Sequence, residues 1–281
     1  MRAIRLLVVA LVVIALIPAA EASPRRNPCP LNVVPRDPGW TSIAAPEFGL
    51  HPAGVGDPSY SGIRNFAVPA DLPSTIFASS DEELYRSDDG GCSWKPITVA
   101  DAATAEIGRI SDLDVTPDGK TIYVQAWPAN ASVTQLVFVS RDGGNTWDDL
   151  SAAEPALGAG EGELVIAPGD PRTVYAVRTA LLAGTVSLLR SGDAGATWES
   201  VAAPGAPQVT PQRGSLAVST LDPNELWAAV MFHEGTQWAN FGLGHSTDGG
   251  KTWDLIRNPL QGPGSLPSVA VGTEPGQPAR I

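Results

Sequence analysis

Ser140-Arg141-Asp142-Gly143-Gly144-Asn145-Thr146-Trp147 is one of four copies of the phrase that decides the fold. The others are Ser87-Asp88-Asp89-Gly90-Gly91-Cys92-Ser93-Trp94, Ser191-Gly192-Asp193-Ala194-Gly195-Ala196-Thr197-Trp198 and Ser246-Thr247-Asp248-Gly249-Gly250-Lys251-Thr252-Trp253. The shared skeleton is Ser-x-Asp-x-Gly-x-Ser/Thr-Trp, and successive first serines stand 53, 51 and 55 residues apart. Self-similarity at such a period marks a repeat architecture in which each unit is one supersecondary element. Within the phrase, Gly supplies positive φ and the Asp carboxylate can accept nearby backbone N–H groups, which is hairpin-turn chemistry. The closing Trp offers an apolar plate that can pin the turn to the sheet behind it.

The phrase resembles the Asp box, or BNR repeat, of sialidases, sortilins, xyloglucanases and photosystem II assembly-factor propellers. The resemblance covers residues 31–281. It implies an all-β chain, a β-propeller of four-stranded antiparallel blades, in which each box joins the third and fourth strands. It also implies that the boxes are structural and face away from the ligand site. The structural residues are then Ser87, Asp89, Gly91, Trp94, Ser140, Asp142, Gly144 and Trp147, with Ser191, Asp193, Gly195, Trp198, Ser246, Asp248, Gly250 and Trp253. A metal-binding reading of the boxes is set aside: calcium takes six to eight oxygens, and each box guarantees one carboxylate. No metal or other cofactor is expected.

The residues between the boxes read as strands on their own evidence. A first apolar segment holds Phe66-Ala67-Val68, Leu113-Asp114-Val115, Leu164-Val165-Ile166 or Leu216-Ala217-Val218. After a Pro-containing turn comes a second, as in Thr121-Ile122-Tyr123-Val124 and Thr173-Val174-Tyr175-Ala176. A third leads into each box and a fourth follows its Trp. Such β-branched and aromatic runs bounded by Pro, Gly and Asp are strand signals, and four per repeat suit propeller blades.

The spacings locate the expected ligand face. From the first segment's last aliphatic residue to the second segment's aromatic the step is 9, 8, 9 and 9 residues. From that aromatic to the box serine it is 10, 17, 16 and 19. The variable length is read as loops between second and third strands, on the side away from the boxes, where binding residues on a rigid scaffold concentrate. These loops and the inter-blade connections nominate Trp127, Arg178, His233, Glu234 and Trp238, with Arg109 and Arg213, as ligand-binding residues.

At the ends of the chain, residues 1–22 read as a secretory signal peptide. Arg2 and Arg5 precede an apolar run from Leu6 to Ile17, and Ala20-Glu21-Ala22 offers a small-residue cleavage site. An exported product with no membrane span after cleavage is expected. Residues 23–50 read as N-terminal closing strands. Residues 35–46 look like a shortened box with its fourth strand: Trp40-Thr41-Ser42-Ile43-Ala44-Ala45-Pro46 echoes Trp198-Glu199-Ser200-Val201-Ala202-Ala203-Pro204. Residues 51–281 form the repeats, ending where a second strand would begin. The expectation is a C-terminally incomplete ring, the alternative a five-bladed ring with a split blade. Cys29 and Cys92 are the two cysteines, and export permits a disulfide between them, the alternative being two free thiols.

A formal charge of −12 without basic clusters gives no footprint for nucleic acid. The reading is therefore a non-catalytic binding or assembly module for a protein, peptide or glycan. The alternative is an exo-glycosidase of the sialidase or xyloglucanase type. The Arg-Ile-Pro signature of sialidases is replaced by Ile63-Arg64-Asn65-Phe66, and no catalytic residue carries over.

Overall fold

Each repeat folds as a four-stranded antiparallel sheet in which sequential strands are neighbours. The computed structural model describes residues 63–99, 107–129, 134–180, 185–203, 211–234 and 237–257. The residues read as a signal peptide and as N-terminal closing strands, Cys29 and everything from residue 258 onward lie outside the described residues. The first blade comprises β1 (Asn65–Ala67), β2 (Ile76–Ser79), β3 (Leu84–Ser87) and β4 (Lys95–Ile97). The second has β5 (Ile107–Val115), β6 (Ile122–Pro128), β7 (Leu136–Ser140) and β8 (Asp148–Asp149). Two one-turn helices follow, α1 (Leu150–Ala153) and α2 (Pro155–Gly158). The third blade has β9 (Glu161–Ile166), β10 (Val174–Ala180), β11 (Thr185–Ser191) and β12 (Glu199–Val201). The fourth has β13 (Pro211–Val218), β14 (Leu226–Glu234), β15 (Gln237–Ser246) and β16 (Asp254–Arg257). The first strands β1, β5, β9 and β13 lie side by side in chain order.

The helices depart from the all-strand expectation, and their cause is local. Asp149 caps α1 by accepting the Ala152 N–H, while Pro155 opens α2 where its missing N–H costs nothing. Leu150 and Leu157 are buried, so this short excursion still serves the core.

Three apolar clusters fill the three seams between blades. Phe77, Leu84, Ile110, Leu113 and Ile122 join the first two blades. Tyr123, Val137, Leu157, Leu164 and Val174 join the second and third. Tyr175, Val177, Leu188, Leu216 and Leu226 join the third and fourth. Each of these large side chains contributes roughly 1.5–3 kcal/mol on leaving water.

The boxes are wired almost identically. In each, the first serine's hydroxyl donates to the Asp Oδ1 at 2.8–2.9 Å and accepts the N–H of the second-glycine position at 2.8–3.0 Å. The Ser/Thr backbone N–H reaches Asp Oδ1 at 2.8–2.9 Å, and its hydroxyl reaches Oδ2 at 2.6–2.7 Å. Both oxygens of Asp89, Asp142, Asp193 and Asp248 are therefore committed within the turn. These hydrogen bonds hold all four carboxyls at a pKa of about 2.

The two residues between Asp and x adopt left-handed φ in every box. They are glycines except for Ala194, whose φ is 60°. A side chain in that region costs roughly 1–2 kcal/mol, partly offset by the entropy a glycine would lose on folding. Ala194→Gly should therefore raise stability by about 0.5–1 kcal/mol, read as a higher thermal midpoint. A lower midpoint would mean that Ala194 makes a compensating contact.

Candidate functional site

The register of the sheets puts the nominated residues at the end away from the boxes. In the second blade, Ile122 pairs with the box serine Ser140 at one end, and Arg109 pairs with Trp127 near the other. The extra length read as loops is mostly paired strand. β14 and β15 continue their ladder until His233 faces Trp238 and Glu234 faces Gln237. Likewise Arg178 lies within β10, Trp127 within β6, and Arg213 within β13 opposite Met231. The expectation of long loops is corrected to long hairpins in the third and fourth blades, because backbone groups that pair along a ladder need no other partner, whereas in the second blade the β6–β7 ladder ends at Ala126 and Leu136.

Arg109 and Trp127 come together. The exposed guanidinium of Arg109 stands 6.0 Å from the centroid of the half-buried Trp127 indole, a cation–π geometry. The Trp127 Nε1–H has no hydrogen-bond partner. Gly108 precedes Arg109 where a Cβ would stand 2.7 Å from the Ala129 backbone, so only glycine lets the two strand ends approach this closely.

Arg178 is not a surface residue as expected; it is 1% exposed. Its Nη1 donates to Gln125 Oε1 and, at 2.9 Å, to Gln135 Oε1, both in the neighbouring second blade. Gln135 in turn donates to Ser111 Oγ at 2.9 Å, and Gln125 to Asp112 Oδ2 at 2.9 Å. The Nε and Nη2 groups of Arg178 are buried without a partner. Burial lowers the guanidinium pKa to about 10, with the Asp112 charge opposing the shift, so Arg178 stays charged at neutral pH.

The sequence reading missed what the half-buried carboxylates of the first strands do. Asp112 Oδ2 accepts the Leu164 N–H, and Asp114 Oδ2 the Ile166 N–H, each at 2.8 Å across the seam to the third blade. Glu163 accepts the Leu216 N–H across the next seam. Asp112 and Glu163 occupy equivalent repeat positions. A first strand is the edge of its own sheet, and these side chains satisfy N–H groups that lack a partner strand. Desolvation raises all three carboxyls, Asp114 and Glu163 to about 7. The only signal in the sequence was an acidic residue on an otherwise apolar strand.

His233, Glu234, Trp238 and Arg213 are placed along the backbone of the fourth blade. Among the described residues, no helix is long and apolar enough to cross a membrane.

Four four-stranded sheets ordered around adjacent first strands, each fastened by the same turn, define an Asp-box β-propeller. The chain resembles sialidase-like, sortilin-type and photosystem II assembly-factor-type propellers. A family profile described as Sortilin-Vps10 (Sortilin, neurotensin receptor 3) matches residues 135–262. Among solved structures, an ancestral GH74 enzyme is 18% identical with a TM-score of 0.51, covering 72% of this chain and 26% of that one. The GH74 enzyme of Niastella koreensis is 20% identical with a TM-score of 0.48, covering 72% of this chain and 25% of that one. YCF48 bound to D1 peptide is 13% identical with a TM-score of 0.40, covering 76% of this chain and 87% of that one. The chain thus spans about a quarter of the length of the two GH74 enzymes. No curated protein matches the sequence.

Proposed function

We propose that the protein is an exported, non-catalytic propeller that binds a protein, peptide or glycan at the strand ends opposite its boxes. The observation that carries this reading is the Arg109–Trp127 pair, an exposed cation over a half-buried aromatic plate at the tip of the second blade. An aromatic face edged by a cation suits sugar rings and peptide groups alike, because apolar contact and hydrogen-bond donation come from adjoining groups. The buried Arg178–Gln125–Gln135 layer ties the second blade to the third. Export is supported by the basic and apolar pattern of residues 1–22 and by the disulfide at Cys92, a bond at home in oxidising compartments. The boxes serve as fasteners, since their carboxylate oxygens are committed to their own turns.

The test is a glycan and peptide array probed with the purified protein and two variants. Trp127→Ala and Arg109→Ala should each weaken a confirmed hit by about tenfold or more, as loss of an aromatic or arginine anchor does. A box variant, Thr146→Ala, should bind normally at a temperature where it is folded. Unchanged binding by both tip variants would sink the assignment. Turnover of sialyl-lactose analogues or β-glucan oligosaccharides that persists through purification would favour the glycosidase reading instead.

A further inference from the structure

One seam between blades differs in kind from its neighbours. Gln125 stands two residues after the second-strand aromatic Tyr123, Arg178 three residues after Tyr175, and the two meet between blades two and three. At the next seam the same register positions hold Val177 and Val230, and at the preceding one Ser79 and Ala126. Packing one blade on the next therefore does not require a cation at this position.

The Arg178 guanidinium is bonded at one corner only. Nη1 donates to both Gln125 and Gln135, whereas Nε and Nη2, which make up one edge of the planar fork, are buried without a partner. Two parallel N–H groups on one edge are what arginine presents to an anion. A third donor faces the same seam. Trp127 lies two residues beyond Gln125 on β6 and so shares its strand face, about 7 Å further along. Its Nε1–H is likewise buried and unpartnered.

What this layer lacks is negative charge. The Gln125 and Gln135 oxygens are neutral and already engaged by Nη1. Asp112 acts on Arg178 through its charge, but its Oδ2 is taken by Gln125 Nε2 and the Leu164 N–H. A buried cation with unmatched N–H groups is costly, and a neutral acceptor would match the donors without matching the charge. The near-complete burial of Arg178 limits an occupant to one or a few atoms. We propose that the seam between blades two and three binds a small inorganic anion of the halide class, chloride in a biological setting. It is held on the Nε–Nη2 edge of Arg178, with the Trp127 indole N–H as a further donor. Arg178 comes from the third blade and Trp127 from the second, so the anion fastens one to the other. The site is independent of whatever binds at the blade tips.

The experiment follows the thermal midpoint of the full-length protein as sodium chloride replaces sodium gluconate at constant ionic strength, gluconate being too large for a closed seam. Between about 5 and about 500 mM chloride the midpoint should rise by about 3 °C or more, and bromide should act alike. Arg178→Lys keeps the charge but removes the planar edge, and it should abolish the rise. Trp127→Phe removes a single N–H and should diminish the rise, which keeps the test decisive if the lysine variant does not fold. Crystals soaked in sodium bromide should show an anomalous peak beside Arg178 Nε. A midpoint indifferent to the exchange of gluconate for chloride would overturn the proposal. So would a rise undiminished in every variant that folds, or an ordered water alone beside Arg178.

Discussion

Arg178→Ala is expected to cost about 2–5 kcal/mol of stability, because it opens a cavity in a packed seam and leaves two amide oxygens without their donor. The reason lies in what remains. Desolvation raises the Asp112 carboxyl, and Arg178 is the cation whose charge opposes that shift. Gln125 and Gln135 also lose the donor to their side-chain oxygens. Arg178→Lys should recover only part of the loss, since a point charge on a flexible stem does not reproduce a planar guanidinium reaching two amides. The decisive measurement is a double-mutant cycle by chemical denaturation. Asp112→Asn removes the charge that needs compensation, so Arg178→Ala should cost about 1–3 kcal/mol less in that background. Additive effects would show that Asp112 and Arg178 do not stabilise one another.

The second large effect is a stability maximum in mild acid, with opposing slopes on either side. The box carboxyls have folded pKa values of about 2, below the ordinary aspartate value near 4. Their contribution is complete above pH ~4 and is lost as pH falls toward 2, because the unfolded chain takes up protons first. Asp114 and Glu163 behave oppositely, with folded values of about 7. Between pH ~4 and ~7 the folded protein binds their protons more tightly than the unfolded chain, so stability declines as pH rises through that window. Thermal midpoints measured from pH 2 to 8 should rise, peak near pH 4–5 and then fall. Asp114→Asn and Glu163→Gln should lower the midpoint yet flatten the neutral limb, while Asp142→Asn should flatten the acid limb. A midpoint still climbing from pH 5 to 7 in the wild type would refute the scheme.

Sequence alone was a good guide wherever the determinants are local. A box needs Ser, Asp, Gly and Ser/Thr within seven residues, and its hydrogen bonds close within that span, so the pattern and the structure coincide. The first and second strands were legible for the same reason, through β-branched runs at near-constant spacing. The tips were harder. Nineteen residues from Trp227 to Ser246 can be a loop or a lengthened ladder, and spacing does not say whether the added residues find partners across the hairpin. They do, up to Glu234 and Gln237. The buried polar layer was least legible, because its logic spans two repeats. Nothing near Asp112 in sequence indicates that it will accept an N–H from Leu164, and Arg178 looks like a surface cation until Gln125 and Gln135 are seen to enclose it. Of the nominated site, Arg109 and Trp127 meet as a pair, whereas Arg178 proves to be buried between the second and third blades.

The self-contained wiring of the box has an evolutionary corollary. A turn that satisfies its own donors and acceptors makes few demands on whatever lies next door, so a gene segment encoding one blade can be copied in tandem and the new hairpin arrives already able to fold. The cross-seam carboxylates set the opposite constraint: Asp112 and Glu163 each answer to a strand in the following unit, so deleting or shuffling a blade leaves an acid without its amide. Duplication followed by divergence at those inner positions would produce such a chain, with uniform clasps on one rim and individually fitted joints within.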